Sequence, residues 1–397
     1  MLEFEDESDE QDVAEQLKPG TIAAVVSGTD WTTETIVSQL KKGNIQLNPR
    51  FQRRDAWKLD RKSRFIESLI VGLPIPQIVL AESKSDRGKF IVLDGKQRLL
   101  SILQFWGLGQ GANNAYTLSG LTLRGDLKQK SFVDLSSKPT YRPDFDELSN
   151  RPIRTMVIRN WKDTNFLHTV FLRLNTGSVN LSPQELRQAL LPGPFSDYID
   201  DAAAQSAGLQ KLLGLVGPDS RMRDIEILAR FLAFRFFAET YPGRMKKFLD
   251  NTFEAFNQQW NAYKPKVEAA TSDFEKGVTE LMKVFGNDVA RKPSSLAFNR
   301  AIFDALIFFH SQSSVRTELK SKRSQVKKAY DNLFVPGSGF VKAIESDTAG
   351  APNTLARLRI WAGELSRIGG RTFSAPKIPT ATVSHRRSTK KKASRKK

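Results

Sequence analysis

The stretch Asp94-Gly95-Lys96-Gln97-Arg98 lies where an apolar, β-branched run (Phe90 to Leu93) gives way to apolar residues at helical spacing (Leu99, Leu100, Leu103, Trp106). Two kinds of chemistry suit that place. Asp94 can cap the helix, and Gln97, three residues on, can reach back to it. Local structure alone then accounts for Asp94, Gly95 and Gln97. It does not account for Lys96 and Arg98. Cations in a first helical turn oppose the helix dipole, at about 0.3–1 kcal/mol each when exposed. They fit better if an anion sits at the helix start, where free backbone N–H groups and a glycine permitting close approach make a phosphate site. Spacing alone leaves capping and phosphate binding both open.

Three further stretches offer related chemistry. Ser182-Pro183-Gln184-Glu185 has the residue types of a capping box, with proline at the first helical position. That leaves Arg173, Asn175 and Arg187 without a local role. Arg50-Phe51-Gln52-Arg53-Arg54 with Trp57 interleaves bases and aromatics, and its arginines suit bidentate contacts to phosphate. The competing reading is a solvated edge with Phe51 and Trp57 in the core. Arg221-Met222-Arg223-Asp224 precedes an apolar helix that Asp224 is expected to cap.

The elements that must position these residues follow from periodicity. Ile36, Val37 and Leu40 mark a helix over residues 33–42, which Gly43 can end. Residues 45–47 are a short strand. Residues 59–71 form a helix with Phe65, Ile66, Leu69 and Ile70 as its buried stripe, stopped by Gly72 and Pro74. Residues 77–81 and 90–93 are strands, and 154–158 is another. Residues 166–174 and 183–191 are helices. Residues 107–150, rich in Gly, Ser, Asn and Pro, read as an insertion of variable structure. Beyond Pro192 the strand signal fades into helices over 225–238, 245–260, 267–285, 296–310 and 355–368. The predicted fold class is α+β, an α/β domain over 31–191 followed by an all-helical domain over 192–370. An acidic disordered segment (1–30) and a basic disordered tail (371–397) flank them.

Composition narrows the function. The chain has 397 residues, no Cys and three His, with a formal net charge of +18. The lack of Cys excludes disulfides, thiolate nucleophiles and iron–sulfur clusters. The first 15 residues carry eight acids and the last twelve carry eight bases, so the ends cancel and the body keeps the full excess. A basic body favours polyanions, with nucleic acid first. No apolar run reaches about 18 residues, and the acidic start is unlike a secretory signal. A cytoplasmic protein with no membrane partner is expected. The sequence contains no Walker phosphate loop, G-x-G-x-x-G, H-E-x-x-H or EF-hand loop.

In order along the chain stand Asn48-Pro49-Arg50-Phe51-Gln52-Arg53 with Trp57, Ile66-Glu67-Ser68-Leu69-Ile70 with Gly72-Leu73-Pro74-Ile75-Pro76, Leu93-Asp94-Gly95-Lys96-Gln97-Arg98-Leu99, Phe171-Leu172-Arg173-Leu174-Asn175-Thr176-Gly177, and Leu181-Ser182-Pro183-Gln184-Glu185-Leu186-Arg187. That series resembles the GmrSD-type restriction endonuclease N-terminal domain, of the ParB/sulfiredoxin-like superfamily, over residues 31–191. The family hallmark is Asp-Gly-Gln-Gln-Arg, and this chain has Lys96 at the third place. The resemblance implies a site that binds and hydrolyses a nucleoside triphosphate, with Mg2+ as an optional companion, coupled to action on DNA in phage defence. Carried over, Asp94, Gln97 and Arg98 are the catalytic candidates, and Gly95, Lys96, Arg53, Arg173 and Asn175 the phosphate-binding ones. Arg50, Arg54, Lys390, Lys391 and Lys392 are candidates for DNA contact. No metal ligands are expected. Complete systems of this type add a His-Asn-His nuclease, and residues 192–397 hold only His310 and His385. Either the nuclease is then on a separate chain or this protein does not cut. The alternatives are a non-enzymatic DNA-binding protein on the same fold and a metal-dependent nuclease using Asp94.

Overall fold

The computed structural model describes residues 24–47, 55–84, 86–109, 115–161, 166, 167, 170, 182–293, 295 and 297–380. Its first part is a five-stranded mixed sheet. The strands are β1 (Val25–Thr32), β2 (Ile45–Gln46), β3 (Ile78–Glu82), β4 (Phe90–Asp94) and β5 (Pro152–Arg159), in the order β1-β5-β3-β4-β2. β5 runs antiparallel to β1 and parallel to β3, and β4 runs antiparallel to β3 and parallel to β2.

The two central strands are apolar at successive positions because both of their faces are covered. Ile78, Leu80, Phe90 and Val92 face one core with α1 (Thr33–Lys41), α2 (Leu59–Val71) and α3 (Lys96–Phe105). Val79, Ala81 and Leu93 face a smaller core that Trp161 and Leu186 complete. The period-2 alternation of side chains thus sends one strand into two cores. Gly72, left-handed at φ 80°, ends α2 as its composition suggests, donating its N–H to Ser68 O.

Residues 107–150 are not the irregular insertion expected. They hold α4 (Phe132–Ser137) and α5 (Arg142–Asn150), closed by Leu118, Leu127, Leu135 and Leu148 in the main core. Buried Glu67 on α2 pins their start by accepting from the backbone N–H groups of Thr122, Leu123 and Arg124. Burial pushes this carboxyl up, but those three amides outweigh it and hold it below the usual carboxylate range. The first described strand begins at Val25, inside the segment 1–30 expected to be disordered.

The second part is all helical. It comprises α6 (Pro183–Leu190), α7 (Pro194–Gln205), α8 (Ala207–Leu213), α9 (Arg223–Phe237), α10 (Met245–Gln258), α11 (Trp260–Phe285), α12 (Arg300–His310), α13 (Ser313–Leu319), α14 (Arg323–Asp331), α15 (Gly339–Glu345) and α16 (Ala351–Gly369). One large core from Phe195 to Ile378 holds them together. α6 straddles the two parts, since Leu186 packs on the sheet while Ala189 packs on the helical core.

Three expectations need correction here. α11 starts at Trp260, ahead of residue 267, and runs through Pro265 in its second turn, giving up one intrahelical hydrogen bond there. Asp224 does not cap α9. Met222 holds the N-cap in a left-handed conformation, and Asp219 accepts from the N–H groups of Arg221 and Arg223. The basic tail does not begin at residue 371, because Phe373 and Ile378 are buried against the helical core. Among the described residues, no helix is long and apolar enough to cross a membrane.

His310, at the end of α12, is fully buried and stacks on Trp361. Its Nδ1 bonds Leu306 O, which can only accept, while Nε2 has no partner. The ring is therefore neutral, and burial pushes its pKa down to about 4 from 6.5. The unfolded chain binds the proton more tightly, so stability is complete above pH 6.5 and falls as pH drops toward 4. The full loss is about 3 kcal/mol. Urea titrations of wild type and His310→Phe at pH 7 and pH 4.5 should show a smaller loss in the variant. Equal losses would mean that other groups govern the acid sensitivity.

Candidate functional site

The site is built on the turn from β4 into α3. β4 runs through Asp94, and Gly95 then turns the chain at φ 96°. A side chain at 95 would suffer that dihedral, and its Cβ would lie 3.0 Å from Ile78 Cγ1. Gly95 is itself the N-cap and brings no side chain to the first-turn amides. The expected capping box of Asp94 and Gln97 is therefore absent. The physical reason lies in where the two side chains go.

Asp94 Oδ2 accepts from Arg98 Nη2 at 2.7 Å, one turn along α3. The same Nη2 donates to Gln77 O at 3.1 Å, just ahead of β3. Arg98 is 5% exposed, and its Nε is buried without a partner. Gln97 turns the other way. Its Oε1 accepts from the backbone N–H groups of Ala56 and Trp57, each at 3.3 Å. Further along α3, Gln104 Nε2 donates to Asp55 Oδ2 and its Oε1 accepts from Lys62, while Lys62 also pairs with Asp55. Segment 55–57 is thus fastened to α3 at two points two turns apart.

Lys96 resolves the puzzle of a cation at a helix start without an external anion. Its Nζ lies 2.9 Å from Glu185 Oε1, with both side chains about 5% exposed. Glu185 belongs to the capping box of α6, where Ser182 N–H donates to its Oε2 and Ser182 Oγ accepts from its N–H. Ser182 Oγ also donates to Arg221 O, and the Arg221 guanidinium lies 3.7 Å from Glu185. The chain Lys96–Glu185–Arg221 therefore links the motif helix to the segment that enters α9. Arg187, on the same helix, reaches Asp250 on α10 at 2.6 Å.

The structure brings together Asp94, Gly95, Lys96, Gln97 and Arg98. Arg50, Arg53, Arg54, Arg173, Asn175, Lys390, Lys391 and Lys392 lie outside the described residues. Sequence reasoning missed the roles of Gln77, Asp55, Gln104 and Arg221, and took Glu185 only as a cap. No local signal marks them, because each acts on a residue at least 21 positions away. Among the described residues, no three His, Cys, Asp or Glu side chains gather as a cation site.

Lys96→Gln is expected to lower stability by about 1–3 kcal/mol, since it leaves a buried carboxylate short of its counter-charge. The double change Lys96→Gln/Glu185→Gln should cost less than the sum of the two single changes. Urea midpoints of the four proteins measure this. Strict additivity would show that the pair contributes nothing as a pair.

Residues 33–192 match the family model described as GmrSD restriction endonuclease, N-terminal domain. No curated protein and no solved structure matches. The match takes in β2 to β5, the Asp94–Arg98 turn and α6 with Glu185, which are the elements that build the site. The α/β part of this chain is therefore a member of the GmrSD restriction endonuclease N-terminal domain family.

Proposed function

We propose that the protein takes part in DNA restriction or phage defence as a DNA-associated nucleoside triphosphatase, with strand cleavage left to a separate nuclease chain. The observation that carries the reading is the Asp94–Arg98 pair at the turn into α3. It sets a guanidinium and a carboxylate beside a helix start whose N-cap is a glycine, all within a single turn. Arginine and first-turn amides suit phosphate oxygens. The carboxylate suits orienting a water or accepting its proton. Mg2+ would arrive with the triphosphate, neutralising its charge.

The family description supports the DNA side of the proposal, as does the net charge of +18. One observation favours a second reading, a non-enzymatic DNA-binding protein. Lys96, which replaces the family's glutamine, is committed to Glu185 and so is not free to meet a phosphate. Purified protein incubated with γ-labelled triphosphates, with and without duplex DNA, tests the two. Phosphate release that rises with DNA supports the first. DNA binding without release under any nucleotide favours the second.

A further inference from the structure

The charge excess of the body has no location in the site just described, where Lys96, Arg98 and Lys62 each meet a carboxylate. The helical part offers one. Between α11, α13 and the start of α14 lies an open cleft of about 400 Å3, lined by five basic side chains against two carboxylates. Both carboxylates are already satisfied within the protein. Glu280 takes a two-point contact from Arg323, at 2.6 and 3.0 Å. Glu275 accepts from Ser206 Oγ and from Gly208 N–H. Arg316 is held by the carbonyls of His310 and Ser311. That leaves Lys276, Lys283 and Lys320, which line the cleft and are exposed, with no partner among the described residues. Thr279 and Thr317 also line the cleft.

The spacing is informative. Lys276 and Lys283 are two turns apart on one face of α11, an axial rise of about 10 Å. That is about the rise of three phosphate-to-phosphate steps along one strand of duplex DNA. A second cleft, beyond the C-terminal end of α11, is lined by Arg291, Lys292 and Lys327 beside Asp288 and Asp331. Arg291 Nε is buried there without a partner.

The geometry points to this face, the C-terminal half of α11 with α13 and α14, as a docking surface for the phosphate backbone of duplex DNA. The assignment rests on the DNA-processing reading above and adds where the duplex lies. Ammonium groups free of carboxylates, set along a cleft that Thr279 and Thr317 also line, fit a regular polyanion better than a single small anion. Without a base-reading element, contact there is independent of sequence.

The test uses the full chain, a random 20-base-pair duplex and fluorescence anisotropy across a salt series. Lys276→Gln/Lys283→Gln/Lys320→Gln is compared with a triple change of equal charge elsewhere, Lys41→Gln/Lys42→Gln/Lys128→Gln, all at exposed positions of the α/β part. Melting curves check that both variants fold; the substitutions are exposed in each. Loss of three phosphate contacts should make the slope of log affinity against log salt shallower by about 2.7 in the first variant only. Equal weakening by both triples would show that net charge alone acts, and would overturn the surface. Wild-type binding matched in strength and slope by the first variant would also overturn it, leaving the DNA reading intact. A wild-type chain that binds no duplex would remove both.

Discussion

Arg98→Ala is expected to abolish triphosphate turnover and to weaken nucleotide binding while the chain still folds. Removal of one preorganised charge contact from a transition state costs about 10²–10³ in rate, and Arg98 combines that charge with the placement of Asp94. The structural cost is smaller. Arg98→Ala loses the bonds to Asp94 Oδ2 and Gln77 O, but Asp94 keeps 19% of its side chain in solvent and is not stranded. A loss of about 1–3 kcal/mol is expected. Arg98→Lys keeps the charge without the planar fork, so it should retain the link to Asp94 and recover part of the binding but little of the rate. Asp94→Asn, nearly isosteric, should keep binding and lose turnover. Nucleotide binding by calorimetry and phosphate release, each beside a melting curve, separate these effects. A folded Arg98→Ala protein with unchanged binding and turnover would sink the site assignment. The Asp94–Arg98 pair would then be a strand-to-helix brace.

The site was legible in the sequence only as far as its local pattern reaches. The Asp94–Arg98 stretch lies on a strand-to-helix turn because β-branched apolar residues precede it and Leu99, Leu100 and Leu103 follow at helical spacing. Gly95 at the break marks the left-handed residue. What the pattern could not supply was the partner of each charge. Capping is a local contest, and Asp94 had two outlets, the first-turn amides or Arg98 one turn away. A charged guanidinium makes the stronger bond, and Gly95 takes over the cap without a side chain. Lys96 was the better clue. A cation in a first turn signalled a missing anion, and the anion is Glu185, 89 residues away.

The same division runs through the fold. α1, α2 and α6 sit at or within a residue of their expected bounds, since each carries a continuous apolar stripe and a clear stop. β1 escaped notice because it is an edge strand with no buried residue and half of its positions exposed, with Gly28 and the polar Ser27, Thr29 and Asp30 along it. Pairing with β5 over eight residues supplies what its composition does not. Short helices such as α8, α13 and α15 are seven residues each, too brief for a periodic signal, and are held by Leu209, Val315 and Phe340 in the common core. Tertiary burial outweighs propensity at that length.

The largest stability effect is expected at Asp304, in the middle of the helical core. Its Oδ1 and Oδ2 take a two-point contact from Arg230, at 3.1 and 2.6 Å, and the Arg357 guanidinium stands 3.9 Å away. Asp304 is 5% exposed, Arg230 2% and Arg357 0%. Asp304→Ala leaves two buried cations with a carboxylate removed from between them, and should cost about 3–5 kcal/mol. For a unit of this size that lowers the melting temperature by about 2–4 °C per kcal/mol. The alternative is that the pair only replaces apolar contacts of equal worth. The double change Arg230→Met/Asp304→Leu distinguishes the two, because it removes both charges and keeps the volume. It should recover part of the loss, and not all of it, since Arg357 still lacks its carboxylate. Urea unfolding of the single and double variants provides the comparison. Asp304→Ala within about 1 kcal/mol of wild type would mean that water reaches the cluster and screens it, as at an exposed pair.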